Sequence, residues 1–187
     1  MSAAVKKQFI DAIPALRAFA RSLCGNAVRA DDLVQEALTK ALAKIDSFQE
    51  GSNAQAWLIT ILRNQYFSEG RKRRREVEDG EGHFAATLVA PDHQHDNLEV
   101  KDLMSALQMI AAEKREALLL VTASGYSYEE AAEIMGSKPG TVKSRVSRAR
   151  AELEELMNGS QELSASPHVH SQSAREITTA FQRGAAA

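Results

Sequence analysis

The residues best suited to chemistry in this sequence are two clusters of cations. The first cluster is the unbroken basic run of Arg71, Lys72, Arg73, Arg74 and Arg75. The second cluster comprises Lys138, Lys143, Arg145, Arg148 and Arg150, with no acid among them. Dense Lys and Arg side chains attract polyanions, above all the phosphates of nucleic acids. For either cluster alone, a face that meets only solvent is an equally good interpretation.

The distribution of charge along the chain favours a nucleic-acid partner, although the net charge is −2. The stretch from residue 76 to residue 99 separates the two clusters and contains no Lys or Arg. Its acids are Glu76, Glu78, Asp79, Glu81, Asp92, Asp96 and Glu99. Two basic clusters on either side of an acidic stretch suit a chain that contacts a polyanion at two places.

The second cluster falls within a predicted helix-turn-helix at residues 127–156. Ser127 followed by Glu130 forms a capping box, which predicts that a helix starts there. Gly136 provides the left-handed residue that ends a helix, and Pro139 suits the first turn of the next one. A helix, a short turn with glycine and a second helix are typical of DNA-binding proteins.

Helical geometry, at about 100° per residue, gives the second of these helices two faces. The face predicted to enter the core holds Val142, Val146, Ala149 and Leu153. A second face holds Thr141, Ser144, Arg145 and Arg148, with Lys143 and Arg150 on its flanks. Hydroxyls and long cations together can read base edges and bind phosphates in a major groove. The alternative is an ordinary surface helix with salt bridges, which the lack of acids disfavours.

The elements that position these side chains are all predicted to be helices, because apolar residues recur at helical spacing and strand-like alternation is nearly absent. The first predicted helix, at residues 6–24, turns Ile10 inward with its other apolar residues and stops at Gly25-Asn26. Asp31 and Asp32 are predicted to cap the second helix, whose buried stripe includes Leu42. A third helix begins near Ala54, after a loop at 47–53, and its Trp57 is predicted to be core.

We therefore expect an all-α protein with two small helical domains, at residues 1–75 and 98–157. Residues 76–97 lose the apolar period and gain Gly80, Gly82 and Pro91, which predicts a flexible acidic linker. Residues 158–187 are rich in Ser, Pro, His and Ala and are predicted to form a mobile tail.

Several classes of protein are disfavoured by what the sequence lacks. Cys24 is the only cysteine and is predicted to be a core residue, so disulfides and cysteine-based zinc sites are excluded. No signal peptide and no apolar run of about 18 residues is present, which favours a soluble cytoplasmic protein. The chain also lacks a P-loop, a dinucleotide fingerprint and a paired metal motif, so we expect no enzyme activity, cofactor or metal.

Three stretches, in this order, resemble the extracytoplasmic-function (ECF) class of bacterial sigma factors. They are DDLVQEALTKAL at 31–42, AWLITILRNQYFSEGRKRRREVED at 56–79, and the helix-turn-helix. The resemblance covers about residues 8–157. Parts of the second stretch and the segment ASGYSYEEAAEIMGSKPGTVKSRVSRAR are similar to the EcfG subgroup, which serves general stress responses in alphaproteobacteria.

The resemblance implies a role for each segment. The helix like 31–45 would bind the clamp helices of the polymerase largest subunit through Asp32, Gln35, Glu36 and Lys40. The loop at 47–53 would hold a flipped base of the minus-ten element, with Phe48 as an apolar wall and Asn53 as a hydrogen-bonding group. The separated strand would be held by Arg63, Asn64, Tyr66 and the basic run. The helix-turn-helix, through its residues between Lys138 and Arg150, would read a GGAAC-like minus-thirty-five element.

The partners implied are core RNA polymerase (its clamp helices and flap), promoter DNA and a small helical anti-sigma factor, with no membrane. A phosphorylated response regulator with a sigma-like domain would release the anti-sigma factor. Two departures from the family pattern lead to local expectations. Gly70 replaces an apolar residue and is predicted to end the third helix early, since glycine disfavours a helix interior. Ala111 and Ala112 replace a helix-opening proline and predict an indistinct helix boundary.

Two other functions remain as alternatives. A self-sufficient helix-turn-helix regulator would use residues 127–156 but leave the basic run and the surface at 31–45 without a role. A sigma mimic that only titrates an anti-sigma factor would not need either basic cluster, and such mimics usually carry a receiver domain that has no counterpart here.

Overall fold

The computed structural model describes residues 2–79 and 98–164, which are helical with no β-strand, as predicted. The helices are α1 (Ala3–Cys24), α2 (Ala27–Ala43), α3 (Ala54–Asp79), α4 (Leu98–Met109), α5 (Ala112–Leu118), α6 (Tyr128–Met135) and α7 (Pro139–Ser164). A 3₁₀ turn spans Ile45–Ser47, and a π-helical turn, Leu119–Ala123, follows α5. The rest of the predicted linker and tail lies outside the described residues.

The described chain divides into two compact units. The first unit contains residues 2–20 and 26–79, and the second contains residues 21–25 and 98–164. In the first unit α2 and α3 pack together, with Leu33, Leu58 and Leu62 almost fully buried. No helix in the described part of the chain is long and apolar enough to cross a membrane.

The start of α2 differs from the prediction. Asn26 is the N-cap, in extended conformation, and its side chain accepts a hydrogen bond from the Arg29 backbone N–H at 2.8 Å. The helix therefore begins at Ala27, and Asp31 and Asp32 lie inside it. The prediction that these two acids cap α2 is wrong, because Asn26 already supplies a capping side chain before either of them.

Two apolar residues that were predicted to be buried face solvent. Ile10 is 55% exposed and Leu42 is 51% exposed. Each comes directly after a buried residue, Phe9 or Ala41. Successive side chains in a helix point about 100° apart, so the second one lies outside a buried face that is narrow. Periodicity located both helices correctly but overestimated the width of their buried stripes.

In the second unit, α7 packs against α4, α5 and α6 around Leu107, Leu120, Val142 and Val146. The boundary between α4 and α5 is distinct, so the expectation of an indistinct one is wrong. Arg115, only 5% exposed, donates from Nη1 to the Leu107 carbonyl at 3.2 Å and also to Oε1 of Gln108. This arginine binds a carbonyl in the last turn of α4 that also accepts from the Ile110 backbone N–H at 3.3 Å.

Two helices extend beyond their predicted ends. The third helix passes through Gly70 and ends at Asp79, so the prediction that Gly70 ends it early is wrong. Polar contacts one turn apart, such as Arg73 Nη2 to Glu69 Oε2 at 3.4 Å, support the helix on both sides of the glycine. The last helix, α7, runs to Ser164, into the stretch 158–187 that was predicted to be a mobile tail.

Candidate nucleic-acid and protein interfaces

The helix-turn-helix is built as its capping residues predicted. The Ser127 side chain accepts from the Glu130 backbone N–H at 3.1 Å, and the Glu130 carboxylate accepts from the Ser127 backbone N–H at 2.8 Å. Gly136 ends α6 in the left-handed conformation, with φ at 60°, and α7 begins at Pro139. The buried Ala131 and Ala132 allow α6 and α7 to approach closely.

Glu130 titrates below its ordinary pKa of 4.5 because the capping box stabilises its charged form. The larger cause is the hydrogen bond that the carboxylate accepts from the Ser127 backbone, and the Ser127 side chain adds to it. The carboxylate also lies in the first turn of α6, where a negative charge is favourable. The start of the first helix of the motif is therefore stabilised by local interactions, in addition to its packing against α7.

The two faces predicted for α7 are confirmed as a buried face and a solvent face. Val142, Val146, Ala149 and Leu153 are at most 4% exposed. Of the predicted DNA-binding residues, Arg145 is half-buried, and Lys138, Thr141, Lys143, Ser144, Arg148 and Arg150 are exposed. No carboxylate among residues 2–75 or 99–158 forms an ion pair with these cations. The face is thus positive and accessible, while its contact with DNA stays a prediction.

This helix makes one polar contact with a neighbouring helix and one within its own first turns. Lys114 on α5 forms an ion pair with Glu152 on α7, which ties the two helices together beyond the basic cluster. Near the start of α7, the Ser144 hydroxyl donates to the Thr141 carbonyl at 2.9 Å. The Ser144 oxygen can still accept a hydrogen bond, whereas its proton is already used.

The basic run extends α3 as five exposed side chains. Five consecutive residues at about 100° each point to all sides of a helix, so one surface cannot bind all of them. About two turns before the basic run, the Arg63 guanidinium lies 5.1 Å from the Phe67 ring and donates to Asn64 Oδ1 at 2.9 Å. The Tyr66 ring lies 5.2 Å from the Arg29 guanidinium of α2. Arg29 is not among the predicted site residues, because only the packing of α2 against α3 brings it next to Tyr66.

The structure gives Phe48 and Asn53 roles within the fold. Phe48 is 8% exposed, and its ring packs 5.5 Å from Phe9 and 5.1 Å from Trp57. The Asn53 side chain accepts from the Ala56 backbone N–H at 3.0 Å, at the start of α3. Phe48 exposes little surface in this arrangement, and its role as the apolar wall of a base pocket stays a prediction. Trp57 packs in the same aromatic cluster but is only half-buried, so it lies at the edge of the core in which it was predicted to be buried.

The residues of α2 predicted to meet a protein partner are all exposed: Asp32, Gln35, Glu36 and Lys40. Two of them are held by Gln65 of α3, which the sequence analysis did not identify. Gln65 donates to Glu36 at 2.6 Å and accepts from Lys40. The only signal in the sequence was the spacing of Gln65, Glu69 and Arg73, one helical turn apart.

The described part of the chain holds no group of three or more His, Cys, Asp or Glu side chains that could bind a metal ion. The histidines, His83, His93, His95, His168 and His170, lie outside the described residues.

Comparison with known protein families gives two matches. Residues 9–76 match sigma-70 region 2, and residues 101–153 match sigma-70 region 4. The first match ends at the basic run, and the second contains the helix-turn-helix.

Individual relatives agree with the family matches. The ECF RNA polymerase sigma factor EcfG of Rhodopseudomonas palustris is 56% identical over 153 residues, which cover 82% of this chain and 84% of that protein. The ECF sigma factor SigC of Mycobacterium tuberculosis is 37% identical over 127 residues, or 66% of this chain and 68% of the relative. Among solved structures, the sigma factor RpoE of Bartonella quintana, in complex with the anti-sigma factor NepR, has a TM-score of 0.76 and 50% identity. That match covers 84% of this chain and 98% of RpoE.

Proposed function

Since this chain belongs to the ECF class of sigma-70 factors and groups with EcfG, we propose which of its surfaces carry out promoter selection. A factor of this class binds core RNA polymerase and directs it to particular promoters. We further propose that the chain has no catalytic role of its own and works in the cytoplasm, where polymerase and chromosome meet.

We assign minus-thirty-five recognition to the exposed face of α7. Thr141, Ser144, Arg145 and Arg148 contact base edges, and Lys138, Lys143 and Arg150 contact phosphates. The observation that supports this is the positive, accessible face opposite a fully buried one, on the second helix of a helix-turn-helix. Arginine binds two acceptors of guanine at once, and this geometry suits a GGAAC-like element.

We assign minus-ten recognition and strand separation to the loop at 47–53 and to α3. Arg63, Asn64, Tyr66 and the basic run hold the backbone and unstacked bases of one strand. Asn53 has its oxygen in the cap of α3, so its amide nitrogen is the group that faces DNA. Residues 1–75 then act as the polymerase-binding and minus-ten domain, residues 76–97 as a linker, and residues 98–157 as the minus-thirty-five domain.

Joining two modest DNA-binding surfaces in one chain explains how such a factor selects promoters. Each domain, once bound to polymerase and DNA, raises the effective concentration of the other at its own element. Asp32, Gln35, Glu36 and Lys40 anchor this arrangement on the clamp helices of the polymerase, and the minus-thirty-five domain lies on the flap.

We propose that the factor serves general stress-response genes and is inhibited by a small helical anti-sigma factor. Support comes from the similarity to EcfG and from RpoE of Bartonella quintana, which was solved with NepR. A phosphorylated response regulator with a sigma-like domain would remove the inhibitor. A stand-alone regulator would leave sigma-70 region 2 without a purpose, and a titrating mimic would need neither basic cluster.

The test is single-round transcription with core polymerase from Rhodopseudomonas palustris and a promoter with a GGAAC-type element. We expect transcription only when the protein is present, and a loss of about tenfold or more for Arg145→Ala with Arg148→Ala. Glu154→Ala, at an exposed position further along α7, is the matched control and is expected to keep full activity. Absence of any transcript, together with tight binding of a small anti-sigma factor, would favour the mimic instead.

A further inference from the structure

The side chain of Gln65 joins α3 to α2 through three polar contacts. Its Nε2 donates to Glu36 Oε2 at 2.6 Å and to Glu69 Oε1 at 2.6 Å. Its Oε1 accepts a hydrogen bond from Nζ of Lys40. Both amide N–H groups and the amide oxygen are therefore used at once.

The charges around Gln65 determine which way its amide points. In the observed orientation the N–H groups meet two carboxylates and the oxygen meets an ammonium group. A flipped amide would place its oxygen against both carboxylates and its N–H groups against Lys40, which reverses every favourable contact. A single orientation of Gln65 therefore holds Glu36 and Lys40 in one arrangement.

The consequence for α2 is a preset pair of opposite charges. Glu36 and Lys40 are exposed and lie four residues apart, on one face of the helix. Long exposed side chains normally sample many rotamers, and a partner that binds them must restrict this freedom. Contacts that order the two side chains beforehand reduce that cost, although polar contacts at a surface contribute little to folding stability.

We infer that Gln65 is a positioning residue of the polymerase-binding surface, which it serves without being part of α2. It orders the carboxylate of Glu36 and the ammonium of Lys40 for a partner surface with complementary charges. On that surface a cation lies opposite Glu36 and an acid lies opposite Lys40. This inference rests on the proposed function of α2 as the helix that binds core polymerase.

The experiment measures the affinity of the full-length protein for core polymerase by competition with a labelled copy of the same chain. Gln65→Leu keeps the size of the side chain and removes all three contacts. We expect it to weaken polymerase binding by about threefold to tenfold, while the unfolding midpoint changes little. Gln8→Leu, at an exposed position on α1 outside this network, is the matched control and is expected to bind like the unchanged protein.

A double-mutant cycle separates positioning from a purely structural role. Gln65→Glu places a third carboxylate against Glu36 and Glu69, and Glu36→Gln restores a donor to that position. We therefore expect Gln65→Glu to reduce polymerase affinity more when Glu36 is present than in the Glu36→Gln background. Coupling that appears in the unfolding free energy and not in polymerase affinity would overturn the inference.

Glu36→Ala and Lys40→Ala distinguish failure of the inference from failure of the proposed function. If these two variants weaken polymerase binding and Gln65→Leu does not, then α2 binds polymerase and the role given to Gln65 is wrong. If neither Glu36→Ala nor Lys40→Ala changes the affinity, the assignment of α2 is wrong and the inference fails with it.

Discussion

At the scale of single residues, α7 offers two kinds of cation to DNA. Arg145 and Arg148 share a face with Thr141 and Ser144, whereas Lys143 lies at its flank. Guanidinium groups can bind two acceptors on one base, while an ammonium acts as a point charge towards phosphate. The two kinds of residue should therefore differ in what their removal changes, and not only in how much binding is lost.

We expect Arg148→Ala to relax the preference for the minus-thirty-five sequence, at a cost of about 1–3 kcal/mol on the preferred promoter. Lys143→Ala should weaken binding on all promoters alike and reduce the salt dependence by about 0.9 in log–log slope. Anisotropy titrations of the polymerase complex on matched and substituted promoters, at several salt concentrations, measure both quantities. The assignment is wrong if Lys143→Ala changes sequence preference and Arg148→Ala changes only the slope.

At the scale of elements, the capping box stabilises the start of α6, the helix against which α7 packs. Ser127→Ala removes the oxygen that accepts from the Glu130 backbone N–H, and should reduce the unfolding free energy by about 1 kcal/mol. Denaturant unfolding of the full chain measures this loss. Ser147→Ala, at an exposed interior position of α7, serves as the control and should change stability much less. Equal losses for the two variants would contradict the role of the cap.

The capping box also predicts how stability depends on pH. Because folding lowers the pKa of Glu130, its carboxylate stabilises the folded state above the unfolded pKa, and this contribution disappears as pH falls through the folded pKa. Glu130→Gln keeps the size of the side chain and removes the titration. We expect this variant to lose less unfolding free energy than the unchanged protein as pH falls below 4.5. Identical acid curves for the variant and for Glu133→Gln, a control outside the box, would count against this explanation.

Gly70 is a weak point in the helix that carries the basic run. A Cβ added at Gly70 would meet no atom within 4 Å, so alanine fits there without strain. Gly70→Ala should raise the stability of α3 by about 1 kcal/mol, because alanine loses less backbone freedom in a helix. Gly51→Ala is the matched contrast: its φ of 89° disfavours alanine, and stability should fall. Thermal unfolding with both variants tests the pair, and a decrease for Gly70→Ala would contradict the helical continuity.

At the scale of the whole molecule, the two basic clusters are expected to act at different steps of initiation. Arg73→Gln with Arg74→Gln should reduce transcription from duplex promoters by about tenfold, because strand separation loses its cations. A promoter with a non-complementary minus-ten segment needs no melting and should restore activity. Arg145→Ala with Arg148→Ala should not be restored, since its defect lies in recognition of the duplex. If the opened promoter rescued both double variants equally, the division of labour would be wrong.

Much of the architecture could be predicted from the sequence by itself. The apolar period identified the helices, and Ser127, Glu130, Gly136 and Pro139 placed the helix-turn-helix with its buried and exposed faces. These features depend on groups within a few residues of one another, so their chemistry is readable along the chain. The order of the two basic clusters and the helices that carry them also follows from the sequence.

Tertiary structure alone decided which side chains are buried, which are held by a partner and which remain available for binding. Phe48 was taken into an aromatic cluster with Phe9, and Gln65 reached Glu36, 29 residues away. Arg115 became the residue that binds the end of α4, and Ile10 and Leu42 were left outside. Such outcomes depend on how helices pack and on which neighbour supplies the best partner, and no local period records this. The sequence determined which side chains could bind, and packing determined which of them are held ready to do so.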